Sequence, residues 1–231
     1  MVFKRKFRGK RFGKRKFRRF RRTGGTGSTR TIARRAYSIA RKTRSFMETK
    51  FIDALDTSGM TNVLSTGNWR LMNGIAEGYD QGGRVGKKIT VTSIALEVFV
   101  EWDPSGVSTD RHQQVRICVV LDRIPAGAAP TTSLVWEYPS VPTMSLRNWN
   151  TRKRFKILKD WKFTLINFDT GSGFGPSTRR FKTFLKMKVP TQYIGTSGGI
   201  ADIENYSLYL HACSDDATLG PQLTYSYKTR Y

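Results

Sequence analysis

Residues 4–22, KRKFRGKRFGKRKFRRFRR, hold thirteen lysines and arginines, four phenylalanines and two glycines without one carboxylate. A block of this kind stays solvated and extended, because its charges repel one another and too little apolar surface accompanies them to be buried. Whatever folds must therefore lie downstream. The bias continues to position 45: nineteen basic side chains and no acid precede Glu48, the first carboxylate. Residues 46–231 carry twenty-two basic and seventeen acidic side chains, a net of only +5 out of the chain's +24. The organisation expected is a basic arm, 1–45, joined to one folded domain, 46–231, long enough to bury a sizeable core.

The arm calls for a polyanion that replaces its counterions, either nucleic acid or a charged membrane surface. The candidate nucleic-acid contacts are Lys4, Arg5, Lys6, Arg8, Lys10, Arg11, Lys14, Arg15, Lys16, Arg18, Arg19, Arg21 and Arg22, continued by Arg34, Arg35, Arg41, Lys42 and Arg44. Phe3, Phe7, Phe12, Phe17 and Phe20 recur every three to five residues between these charges. They are either incidental or candidates for stacking on unpaired bases, as aromatics do in basic single-strand binders. TGGTGS, 23–28, reads as a flexible hinge. Beyond it the spacing predicts a short helix over 31–46, with Ile32, Ala36, Ile39 or Ala40, and Thr43 on one stripe and Ser28 or Thr31 as the cap. That stripe is narrow and built of small residues, which suits contact with phosphates or with the domain better than a membrane surface.

From about Thr61 the apolar period becomes two, and glycine and proline interrupt it at short intervals. Strands are expected at 62–72, 87–102, 113–123, 131–138, 153–168, 179–189, 205–213 and 222–229. Val115, Ile117, Val119 and Leu121 share one face of the third, and Tyr206, Leu208, Leu210 and Ala212 one face of the seventh. In the second, the apolar phase slips at Ser93 to Ile94, the mark of a bulge. Eight strands without helical pattern between them give an all-β chain, an antiparallel sandwich or jelly roll. Two cysteines, Cys118 and Cys213, are too few for a disulfide framework, which points to a reducing compartment. The sequence has no apolar run of eighteen residues, so neither secretion nor membrane spanning is expected.

No catalytic constellation emerges. GGRVGKK, 82–88, lacks the upstream glycine and following hydroxyl of a phosphate-binding loop, since Gln81 and Lys88 stand in those places; it reads as a flexible turn leading into a strand. GSGFGP, 171–176, precedes a strand-like run instead of a helix and reads as a loop. His112 and His211 are isolated and sit in no ligand pattern. The chain is therefore expected not to be an enzyme and to use no cofactor or metal. Two further basic groups lie in the domain: Arg152, Lys153, Arg154, Lys156, Lys159 and Lys162, then Arg179, Arg180, Lys182, Lys186 and Lys188. They fit a nucleic-acid face, a solvated surface or subunit contacts equally well.

GYDQGGRVGKKITVTSIAL, VRICVVLDRIPAGAAP, ENYSLYLHACSDD and the terminal LTYSYKTRY, in that order, resemble coat proteins of small circular single-stranded DNA viruses, the geminivirus-related group in particular. RFKILKDWKFTL, 154–165, is similar to the corresponding strand of the satellite tobacco necrosis virus coat protein. The resemblance covers about residues 62–231 and the character of the arm. It implies a single eight-stranded jelly roll of two packed sheets, and self-assembly into an icosahedral shell with the arms inside. It also implies a virion protein that visits the host nucleus, with host nuclear import receptors reading the arm and an unknown host surface receptor reading the outside. Because the satellite virus packages RNA, the single-stranded DNA or RNA nature of the genome stays open. About sixty copies, the icosahedral minimum, would bring roughly 1,100 arm charges to the interior, matching a genome of one to three kilobases. The rival reading is a ribosomal or chromatin-type basic protein, although a body of this size at +5 is unlike those.

Overall fold

Alternation of apolar and polar side chains sets the architecture of the computed structural model, which describes residues 29–45, 49–102, 112–166 and 177–231. Residues up to Glu48 and residues Thr49–Tyr231 form separate units. In the first, a helix, α1, runs Thr29–Ser45, close to the span read from its periodicity. The reading of 1–28 as an extended arm with a hinge lies outside the described residues, as does that of the 171–176 loop.

The second unit contains β1 (Phe51–Met60), β2 (Asn68–Leu71), β3 (Lys88–Glu101), β4 (His112–Asp122), a one-turn helix α2 (Thr132–Val135), β5 (Phe155–Ile166), β6 (Thr178–Tyr193), β7 (Ile203–Asn205), β8 (Ser207–Ser214) and β9 (Gln222–Arg230). Two antiparallel sheets result, ordered β1-β9-β3-β6-β7 and β2-β8-β4-β5. The pairs β1·β9, β2·β8, β3·β6 and β4·β5 are nested, as in one long hairpin rolled over itself. The added contacts β3·β9 and β4·β8 complete the two sheets. This is the jelly roll expected from the sequence, eight strands in two sheets, with β7 added at one edge.

The core lies between the sheets. β3 contributes Ile94, Leu96, Val98 and Val100, β4 contributes Val115, Ile117, Val119 and Leu121, β8 contributes Leu208, Leu210 and Ala212, and β9 contributes Leu223, Tyr225 and Tyr227. Each such side chain, fully withdrawn from water, favours the fold by about 1.5–3 kcal/mol before entropy is counted. The predicted phase slip in β3 is a bulge between Val91 and Ser93.

Expectations about the strands need correction at four places. Residues 131–138 are not a strand: they form α2 and a loop, because Leu134, Val135 and Trp136 are all directed to packing against the outer face of the four-stranded sheet. β1 has no counterpart among the expected strands, because Asp53, Asp56, Ser58 and Gly59 resemble a loop; it is an edge strand, where charged residues discourage pairing with other chains. The strand expected at 62–72 is confined to Asn68–Leu71, since Gly67 takes φ +77° just before it. The strand expected at 205–213 is two strands in different sheets. The chain changes sheet at Tyr206, whose φ of 62° turns the corner and whose carbonyl accepts hydrogen bonds from Asn73 Nδ2 at 2.9 Å and Thr191 Oγ1 at 3.1 Å.

The turn at 82–88 is held in place, contrary to the flexible turn expected. Arg84 is fully buried, donates to the carbonyls of Ile75, Gly86 and Gly195, and lies 4.2 Å over the Tyr193 ring. Lys50 Nζ caps the same turn through the carbonyls of Tyr79, Asp80 and Gly83.

Candidate nucleic-acid interface

In α1 the rotation of about 100° per residue places positions 30, 34, 41 and 44 along one stripe and positions 32, 36, 39 and 43 on another. Arg35 and Lys42 lie between these stripes and Tyr37 falls within the basic one, so the separation of basic and apolar positions is partial. Arg34 and Arg35 are exposed, as are Ile32, Tyr37 and Ile39. No acidic residue sits in its first turn, and positions 41, 42 and 44 fall near its C-terminal end. The remaining candidate contacts, Lys4 to Arg22, and the stacking candidates Phe3, Phe7, Phe12, Phe17 and Phe20 lie outside the described residues.

The two basic groups of the domain divide by role. Arg154 is structural: it grips the fully buried Asp122 through two hydrogen bonds of 2.9 and 2.8 Å, and these hold its pKa above the ordinary value against burial. Arg152 stacks 3.2 Å over Trp149, and Lys159 lies 5.6 Å from the Trp161 ring. Burial, reinforced by Arg123 and Arg152 nearby, lowers the pKa of Arg147, so like charges are crowded at this end of β5. On β6, Phe181, Leu185 and Met187 pack against the core while Arg180, Lys182, Lys186 and Lys188 stand exposed on the opposite face. Glu97 on the neighbouring strand pairs with Arg180 and Lys182. Lys186 and Lys188 have no partner among the described residues.

Of the side chains weighed for chemistry, His112 is exposed at the start of β4, whereas His211, Cys118 and Cys213 are buried. His211 is fully buried beneath the β4–β5 connection, stacked on Trp69 at 3.9 Å. Its Nε2 accepts from Trp136 Nε1 at 3.2 Å and its Nδ1–H faces the Asn68 carbonyl at 3.2 Å. Burial holds its pKa down to about 3, so the ring is neutral. Beside it, Arg116 donates to both Asp160 oxygens at 3.0 and 2.7 Å and to the carbonyls of Pro142 and Ser145, each at 2.8 Å, while its guanidinium lies 3.5 Å over Trp136. Cys118 donates to Asp160 at 3.2 Å, and burial raises the pKa of its thiol and pushes that of Cys213 up to about 12. Among the described residues no group of three His, Cys, Asp or Glu side chains is placed to hold a metal, and no helix is long and apolar enough to cross a membrane.

Sequence reading missed Arg84 and Arg116 as structural arginines, because nothing local distinguishes a buried guanidinium from a solvated one. It also missed the exposed apolar side chains between Tyr138 and Trp149, a density of large hydrophobics that was itself the available signal.

The profile of the geminivirus coat protein/nuclear export factor BR1 family matches residues 4–231. The capsid protein of Maize streak virus genotype C (isolate Set) is 28% identical over 167 residues, covering 65% of this chain and 68% of that protein. That of Maize streak virus genotype A (isolate Nigeria) is 26% identical over 180 residues, covering 69% of this chain and 72% of its relative.

Proposed function

The chain belongs to the geminivirus coat protein/nuclear export factor BR1 family, and from that premise we propose that its copies close into an icosahedral shell around single-stranded nucleic acid held by the N-terminal arm. Its role is that of a viral coat protein, a structural component of the virion. The observation that carries the finer reading is the partition of charge. Nineteen basic side chains and no acid precede position 46, while every strand of the jelly roll lies within 51–230. One part of the chain is suited to polyanions and the other to tiling.

Lys4 through Arg22, with Arg34, Arg35, Arg41, Lys42 and Arg44, bind phosphates without reading sequence, and the five phenylalanines of the arm stack on bases. The resemblance to coats of single-stranded DNA viruses favours DNA as cargo. Before assembly, host import receptors read the same arm and carry the chain to the nucleus; in the virion the outer loops meet a host surface receptor. Because affinity comes from counterion release, log affinity falls linearly with log salt, with a slope approaching about −9 if all thirteen basic residues of 4–22 engage.

Deleting residues 1–45 tests the reading, because none of the described strands loses a residue. The expected product is a folded β protein that, purified from cells, carries no nuclease-protected nucleic acid. Packaging equal to that of the full chain would remove the arm from this role.

A further inference from the structure

Two apolar features of the jelly roll stand largely exposed, and they lie on opposite sheets; within the first, Trp149 has a ring contact with Arg152. The first is a ridge in the β4–β5 connection. Trp136 and Arg147 form an antiparallel bridge, Glu137 N–H donates to the Leu146 carbonyl at 2.9 Å, and Tyr138 N–H donates to Ser145 Oγ at 2.8 Å. Arg116, rooted in β4, clamps the ridge from beneath through the Pro142 and Ser145 carbonyls. The ridge is therefore built rigidly, yet Tyr138, Met144, Leu146 and Trp149 are each 63–74% exposed and Val141 is 45% exposed. From Tyr138 to Leu146, YPSVPTMSL, it carries no charge at all, in a chain that is 25% charged.

The second feature is a groove of about 710 Å³ on the outer face of the five-stranded sheet. Register explains it: Leu55 on β1 faces Ser226 on β9, Ser226 faces Glu97 on β3, and Ala95 on β3 faces Phe184 on β6. Small residues, Ala95 and Ser226, form the floor, while Leu55 and Phe184, 71% and 52% exposed, form the walls. The charges at its rim are already satisfied within the chain: Asp53 pairs with Lys228 at 3.1 Å, and Glu97 with Arg180 and Lys182. An occupant would bury no unpaired charge there, and a polyanion would find the neighbouring cations partly neutralised.

We infer that the ridge of one copy seats in the groove of another, a contact that rests on the reading of the chain as a self-assembling coat. Depletion of charge with enrichment in Tyr, Trp and Met is the composition of an interface centre. Five side chains of this size and exposure offer on the order of 600 Å², close to the roughly 800 Å² per partner of a standard stable interface. Since ridge and groove differ and occupy opposite faces, each copy presents one of each. The contact is head-to-tail, the kind that propagates into rings when its rotation closes.

The test uses full-length chains carrying Leu146→Cys or Ser226→Cys, mixed in equal amounts and treated with a short bis-maleimide; native Cys118 and Cys213 are buried and remain silent. A cross-linked dimer in the mixture, absent from either variant alone, is expected. Dimers of Leu146→Cys alone would mean ridge against ridge and overturn the proposal. Normal particles of the mixture without cross-link would remove this contact and leave the coat reading standing. No particles from the unsubstituted chain would remove both. In parallel, Leu146→Asp and Phe184→Asp should each raise the concentration needed for assembly at least tenfold while leaving the thermal melting of unassembled protein unchanged; no rise in either overturns the inference.

Discussion

Replacing Arg116 with methionine tests how the outer face of the four-stranded sheet is held. Arg116 is 4% exposed, and its guanidinium makes four hydrogen bonds, two to Asp160 and one each to the carbonyls of Pro142 and Ser145, besides lying on Trp136. Removing one partner of a buried ion pair costs about 3–5 kcal/mol, because the other charge is left unpaired. Here the Asp160 side chain is one-third exposed and regains some water, which reduces the cost. Against that, two carbonyls within buried residues lose their donor, at about 1–3 kcal/mol each where water does not reach. The expected loss for Arg116→Met is about 4 kcal/mol. Asp160→Asn should cost about half as much, since the guanidinium keeps both carbonyls, the tryptophan face and one acceptor. Urea denaturation of the full chain, kept unassembled in high salt and followed by tryptophan fluorescence, reads both values. A loss under about 1 kcal/mol for Arg116→Met, or equal losses for the two variants, would refute the claim that this arginine staples the β4–β5 connection to the sheet.

His211 predicts the acid side of the stability curve. The unfolded chain takes up a proton as pH falls through about 6.5, whereas the folded ring resists it down to about 3, so stability declines over that window, by about 2 kcal/mol at pH 5. His211→Gln, which can still accept from Trp136 and donate to Asn68, should flatten the slope between pH 6.5 and 4.5; an unchanged slope refutes the assignment. Gly59 has φ +60°, and a β-carbon there would stand 1.8 Å from the Leu223 carbonyl oxygen, so Gly59→Ala should lower stability by more than about 2 kcal/mol; a neutral result in thermal melting would mean that the β1 bulge relaxes.

Most of the sheet framework was legible because it depends on period two alone. The inward series Val115 to Leu121 and Leu208 to Ala212 follows from alternation alone, and so does the slip at Ser93. What was not legible depended on tertiary context. β1 carries Asp53 and Asp56 because it is an edge, and sequence does not announce edges. Tyr206 adopts positive φ because Asn73 and Thr191 hold its carbonyl at the corner between sheets, an arrangement spread over residues far apart in the chain.

The arm and the ridge stand at opposite ends of legibility for one physical reason. Charge acts at long range and without geometry, so nineteen cations in 45 residues declare a polyanion partner whatever the fold. Apolar side chains act only by contact, and TTSLVWEY, 131–138, reads as a strand because its hydrophobics are counted without knowing what each one touches. In the fold they divide. Val135 and Trp136 close a second core over Cys118, Val120 and Phe155, while Tyr138, two residues on, is left in solvent together with Val141, Met144, Leu146 and Trp149. The first set stabilises the sheet's outer face, whereas the second set keeps most of its apolar surface in water in a lone subunit. Its exposure on a rigid support, along a stretch without charged side chains from Tyr138 to Leu146, is the physical ground for assigning it to contact between copies.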